Sequence, residues 1–100
     1  MKKKKLTYKG KVVTISTDTY RNNGCLAIIL TYKDGEREVV STNLNSPLQS
    51  ATMAFLDTNN HPTIEKWIQD HGFGLPMGYS ERSNGGFCQY PLYTIFVNAL

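Results

Sequence analysis

The chain is 100 residues long, 40% hydrophobic and 19% charged, which bounds it to one domain with a single modest core and excludes disorder of the whole chain. The formal charge of +3 is unevenly placed: Lys2, Lys3, Lys4 and Lys5 supply four of the eleven basic residues, and without them seven basic side chains face eight acidic ones. No apolar run approaches the roughly 18 residues needed to cross a bilayer, and the lysines lead into Leu6-Thr7-Tyr8, not into the apolar segment of a signal peptide. A cytoplasmic protein is expected, with a flexible basic tail over residues 1–5 and a single α+β domain over residues 6–100.

The first half reads as strands. Leu6-Thr7-Tyr8, a Lys9-Gly10 turn and the β-branched run Val12 to Thr17 predict a hairpin. Arg21-Asn22-Asn23-Gly24 predicts a turn, because Asn-Gly accepts positive φ. Cys25 to Tyr32 follows, with Ala27, Ile28, Ile29 and Leu30 consecutive. A continuous apolar run predicts a central strand covered on both faces. After the Asp34-Gly35 turn, Glu36 to Leu44 alternates without a cleanly apolar parity, which predicts one half-exposed edge strand. Pro47 ends the sheet, and Met53 to Leu56 is extended.

A helix over residues 62–71 is predicted next. Pro62 suits the first helical position, with Asn60 or His61 as cap, and Gly72 suits a left-handed stop. Ile64, Trp67, Ile68 and His71 fall on one face. The helix is too short to stand alone, so Trp67 is expected to dock on the sheet and His71 to pack half-buried. Residues 74–86 read as irregular. Phe87 to Val97 reads as an aromatic strand in which Pro91 demands an edge or a bulge. The expected fold is an antiparallel sheet of about five strands with one helix on one face. The expected core is Leu26, Ile28, Leu30, Phe55, Ile64, Trp67, Ile68 and Phe96.

The chemistry-bearing residue types do not assemble into a catalytic pattern. Ser-His-Asp and Cys-His constellations, a phosphate-binding Gly-rich motif and paired carboxylates are all missing at usable spacing, so no enzymatic activity and no cofactor are expected. Cys25 and Cys88 sit in apolar context and read as reduced, buried small hydrophobes. His61 and His71, ten positions apart, match no zinc pattern, so no metal is expected. Asp57-Thr58-Asn59-Asn60 reads first as a turn and cap, since these side chains bond neighbouring backbone N–H groups. As a polar cluster before a helix, Asp57, Asn59 and Asn60 are also candidate partner contacts. Nucleic acid is expected to meet only Lys2, Lys3, Lys4 and Lys5, whose ammonium groups can displace phosphate counterions. Basic residues are absent from 83 to 100, so Tyr79, Tyr90, Tyr93 and Phe96 point to packing or a protein interface rather than to base stacking.

Leu26-Ala27-Ile28, Thr42-Asn43-Leu44, Ala54 to Asn60, Ile64-Glu65, Gly72, Gly78 and Gly86 to Tyr93 together resemble an uncharacterised family of small proteins carried by conjugative elements and prophages of Gram-positive bacteria. The resemblance runs over most of residues 24–96. It departs in having Ser83-Asn84-Gly85-Gly86 where a shorter Ser-Gly is expected, and in lacking a proline after Asn43-Leu44. It implies a horizontally transferred accessory gene and no assigned chemistry. Such elements use small proteins to manage their host, including by blocking defence systems. The expected function is therefore a non-catalytic protein-binding accessory factor, acting as an inhibitor of a host defence nuclease complex in the manner of an anti-CRISPR protein. The alternative is a nucleic-acid-binding or transfer and replication accessory protein of the element. The expected contact surface is the irregular 75–86 segment with Tyr79, Glu81 and Arg82, together with the neighbouring Asp57 loop, because aromatic side chains bury large area at low entropy cost.

Overall fold

Lys9 and Gly10 both take positive φ, 52° and 76°, as a two-residue hairpin turn requires. They join β1 (Leu6–Tyr8) to β2 (Lys11–Thr19) with Tyr8 opposite Lys11 and Leu6 opposite Val13. The computed structural model that shows this describes residues 6–83 and 86–100; Lys2–Lys5, Asn84 and Gly85 lie outside the described residues. Gly24, at φ 69°, closes the next connection, and β3 (Leu26–Tyr32) pairs with β2 from Thr19↔Leu26 to Val13↔Tyr32. Leu26 to Leu30 are all buried, as a central strand covered on both faces should be.

The expected strand over residues 36–44 is in fact two, β4 (Arg37–Val39) and β5 (Ser41–Thr42). Val40 lies between them and is where the chain changes sheets. Its N–H donates to the Ile28 carbonyl, and its own carbonyl accepts from the Asp57 N–H. The described residues therefore form two four-stranded antiparallel sheets, not one sheet of about five strands. The first has the order β1-β2-β3-β4; the second has the order β5-β6-β8-β7, with β6 (Met53–Leu56), β7 (Gly74–Arg82) and β8 (Gln89–Ile95). A corner strand of this kind lets one short run serve both sheets and bury their inner faces on each other. Val40 is fully buried at that corner.

The helix α1 spans Ile64–Asp70 and is shorter than the expected 62–71. Pro62 and Thr63 form a turn instead, and the Thr63 hydroxyl donates to Tyr8 Oη (3.2 Å) rather than capping the helix. The far end behaves as expected. Gly72 takes φ 69°, its N–H donates to the Gln69 carbonyl, and the Phe73 N–H reaches the Ile68 carbonyl. These two bonds are those of a Schellman stop.

One core joins both sheets and the helix: Tyr8, Val13, Ile15, Ile28, Leu30, Val40, Leu56, Ile64, Ile68, Tyr93 and Ile95 are among its members. Of the expected core, Leu26, Ile28, Leu30, Phe55, Ile64 and Ile68 are buried. Trp67 is only partly buried against the cluster, and Phe96 is exposed. β8 stops at Ile95, and Phe96 leads instead into a 3-10 turn, Val97–Ala99. Cys25 and Cys88 are half-exposed free thiols, not buried ones. His71 is exposed rather than half-buried, although its ring stacks on Phe73.

Residues 74–82, expected to be irregular, form β7 at the edge of the second sheet. Its pairing with β8 shifts register between Pro76 and Ser80, where Gly78 takes φ 75°. Pro76 is tolerated because an edge strand has one side without ladder bonds. Pro91, in the interior strand β8, pairs with Ser80 beside that bulge and lies past the β6 pairing, which covers only Leu92 to Thr94. Gly74 is required by packing: a Cβ there would stand 2.5 Å from the Thr94 carbonyl oxygen. Among the described residues, every buried side-chain nitrogen and oxygen has a partner, and no helix is long and apolar enough to cross a membrane.

Candidate functional site

Asp57 follows β6 directly, and its groups are spent on its own turn. The carboxylate accepts from the Asn60 backbone N–H (3.3 Å) and from Asn60 Nδ2 (2.9 Å), and the Asp57 carbonyl accepts from the His61 N–H. This is the turn chemistry of an Asx motif. Asn60 is thereby engaged, while Asn59 is exposed. Asp57 still influences two phenols. Burial raises the Tyr20 phenol, the bond from Ser41 lowers it, and the Asp57 charge raises it further. Tyr90 is raised by partial burial, then by Cys88 and Asp57.

Tyr79, Glu81 and Arg82 lie on β7. Glu81 is the cross-strand partner of Tyr90 on β8. Its carboxylate accepts from Ser46 Oγ (2.9 Å) and from Tyr79 Oη (3.3 Å). Loss of hydration and the neighbouring Glu81 charge raise the Tyr79 phenol. The structure thus joins Tyr79 and Glu81 to each other and to Ser46, while Arg82, Asn59 and Asn60 are exposed.

The wider exposed surface overlaps the expected 75–86 segment and extends past it to Phe87 and Phe96. Leu75 (53% exposed), Met77 (48%), Tyr79 (46%), Phe87 (96%) and Phe96 (42%) all belong to the β7–β8 hairpin and its immediate continuation. From Phe73 to Leu100 only Glu81 and Arg82 carry a charge, and they cancel. The hairpin is therefore rich in exposed apolar side chains and carries no net charge. The available signal was the alternation of Leu75, Met77 and Tyr79 with Pro76, Gly78 and Ser80, masked by turn-forming residues.

An amide clamp supports the neighbouring loop. Asn23 Nδ2 donates to Asn43 Oδ1 (3.0 Å) and Asn45 Oδ1 (2.8 Å), Asn43 Nδ2 donates to Asn22 Oδ1 (2.9 Å), and Gln49 Nε2 donates to Asn43 Oδ1 (3.1 Å). It ties residues 43–49 to the β2–β3 connection, and Ser46 of that loop carries the tie on to Glu81. Among the described residues no group of three or more His, Cys, Asp and Glu side chains could hold a metal ion. Buried His61 approaches Glu38 at 3.9 Å, and the Tyr20 and Ser41 hydroxyls share a 2.7 Å bond. These bonds fasten the fold around β4 and β5.

Two phenols couple fold to pH. Tyr93 is pushed up to about 12 by burial first, then by the bond it donates to Glu65, with the bond from Gln69 opposing. Tyr32 is pushed up to about 12 by burial and by the bond it donates to Glu38. A raised phenol makes the folded state the stronger proton binder, so its contribution is complete below the ordinary value of 10 and is lost as pH rises through about 12. Urea midpoints are expected to be flat up to about pH 9 and to fall between pH 10 and 12, with a shallower fall in Tyr93→Phe.

A family model, domain of unknown function (DUF4313), matches residues 14–100. The chain belongs to that family. No curated protein and no solved structure matches it.

Proposed function

We propose that this member of the DUF4313 family is a non-catalytic accessory factor that works by binding another protein through the β7–β8 hairpin. The observation that carries this reading is the run of exposed apolar side chains, Leu75, Met77, Tyr79 and Phe87, on a hairpin with no net charge. Large exposed apolar patches mark interaction sites, and aromatic anchors dominate interface energetics. Tyr79, Glu81 and Arg82, with the Asp57 loop, form the polar part of the same contact.

The finer reading is that the protein belongs to a phage or conjugative element and acts in the cytoplasm of its host on a defence nuclease complex of the CRISPR effector kind. Its support is the resemblance in Ala54 to Asn60 and Gly86 to Tyr93, together with a surface suited to binding rather than turnover. The test is an affinity pull-down with the full chain from a host strain carrying its defence systems, joined to a phage-plating assay. Recovery of a defence-complex subunit with a rise in plating efficiency is expected. Recovery of replication or transfer proteins alone, with plating unchanged, would overturn the finer reading and leave the accessory role to the element itself.

A further inference from the structure

Charge is segregated along this chain. Residues 1–17 hold six lysines and no acidic residue, which leaves five basic against eight acidic side chains in residues 18–100. The near-neutral balance of the body conceals a basic end. β1 begins one residue after Lys5, and the β1–β2 turn carries Lys9 and Lys11, both exposed.

Two shallow clefts adjoin that turn. One, of about 440 Å³, is lined by Tyr8, Lys9, Thr63, Lys66 and Trp67 among others; the second, of about 260 Å³, is lined by Lys11, Val12, Tyr32, Lys33 and Asp34. Each cleft combines two lysines with a partly exposed aromatic ring, Trp67 in the first and Tyr32 in the second. The Lys11 ammonium already stands over the Tyr32 ring at 5.7 Å, and that of Lys9 over Tyr8 at 5.5 Å. Four acidic groups lie at or near the clefts: Glu38 accepts from the Tyr32 hydroxyl, Glu36 acts on the same phenol, and the other two are Asp70 and Asp34. Asp70 holds Lys66 at 2.8 Å, and Asp34 accepts from the Glu36 N–H. Among the described residues no carboxylate pairs with Lys9, Lys11 or Lys33.

We propose that these clefts bind single-stranded nucleic acid, with Lys9, Lys11 and Lys33 on the phosphates and bases against Trp67 and Tyr32. Lysine ammonium groups release phosphate counterions, and aromatic rings accept any base by stacking. A rim of lysines alone would suit any polyanion; the aromatic ring in each cleft selects an unpaired strand, because duplex bases cannot reach it. In this proposal the folded body reads the strand. This surface is separate from the hairpin proposed to bind protein, so either can fail without the other.

Trp67 is the only tryptophan and reports directly on the first cleft. The full chain is titrated at low salt with oligothymidylate and oligouridylate, reading Trp67 fluorescence and the anisotropy of a labelled strand. Binding with Trp67 quenching is expected. Lys9→Gln, Lys11→Gln and Lys33→Gln combined should weaken it about tenfold or more and reduce the salt slope by about 2, at about 0.7 per phosphate contact. All three positions are exposed, and an unchanged urea midpoint confirms that this variant folds. The chain with Lys2 to Lys5 changed to Gln should keep both salt-sensitive binding and quenching. Absence of binding by the wild type would overturn the proposal. So would binding lost with the tail lysines but indifferent to the body lysines, or equal binding to heparin or phosphatidylserine vesicles.

Discussion

Tyr93→Ala is expected to lower the unfolding free energy by about 4–5 kcal/mol, the largest loss of any single truncation in the core. The ring is fully buried at the centre of β8 and belongs to the cluster that joins both sheets to the helix. Its hydroxyl donates to Glu65 Oε1 (2.8 Å) and accepts from Gln69 Nε2 (2.7 Å), so it ties β8 to α1 with two bonds as well as by packing. Truncation removes the aromatic contacts, opens a cavity and releases both partners. Glu65 and Gln69 are not buried and can turn to water, which keeps the hydrogen-bond part near 1 kcal/mol and leaves the cavity as the main cost. Against a total stability of about 5–15 kcal/mol for a small domain, the variant should be largely unfolded in mild urea. A loss below about 2 kcal/mol would contradict the placement of Tyr93 between sheet and helix.

Trp67→Ala is expected to cost about 3 kcal/mol, at the low end for a tryptophan because the ring is only partly buried. The indole Nε1–H donates to the Thr7 carbonyl at 2.7 Å, and the ring meets Tyr8 edge-on at a centroid distance of 5.4 Å and Phe73 at 5.7 Å. Trp67 therefore holds α1 against β1, an edge strand of only three residues. Trp67→Phe should recover the packing and lose only the bond, about 1 kcal/mol. Paired thermal melts of the two variants check this. An alanine variant melting within a few degrees of the wild type would mean that the helix does not dock through this ring.

The parts of the fold that were legible in sequence are those set by local chemistry. Lys9-Gly10, Asn23-Gly24, Asp34-Gly35 and Gly72 punctuate the chain where their φ preferences say they should, and the apolar run in β3 announces a strand covered on both faces. The division into two sheets was not legible. It depends on the two hydrogen bonds of Val40, one to each sheet, and a mid-strand valine carries no local sign of that role. β7 was hidden for a different reason. An edge strand exposed on both faces needs no apolar alternation strong enough to outweigh Pro76, Gly78 and the bulge. Phe96 was misplaced because aromatic character says nothing about where a strand stops. In the candidate surface, Tyr79, Glu81 and Arg82 stand out in the sequence by residue type. Leu75 and Met77 fall inside the expected 75–86 segment without being named, and Phe87 lies just beyond it, because an apolar side chain in an apparently irregular segment does not reveal whether it faces core or water.

The central claim is that the protein acts by binding a protein partner through the uncharged apolar β7–β8 hairpin. The measurement that tests it most directly is the Kd of the recovered partner for three full-length chains. These are the wild type, the double variant Leu75→Lys with Met77→Lys, and the control Val39→Lys, which alters an equally exposed apolar residue on the first sheet. The account predicts that the hairpin variant keeps its urea midpoint and binds at least 100-fold more weakly, about 2.8 kcal/mol, while the control binds as the wild type does. A hairpin variant that binds with wild-type affinity would contradict it.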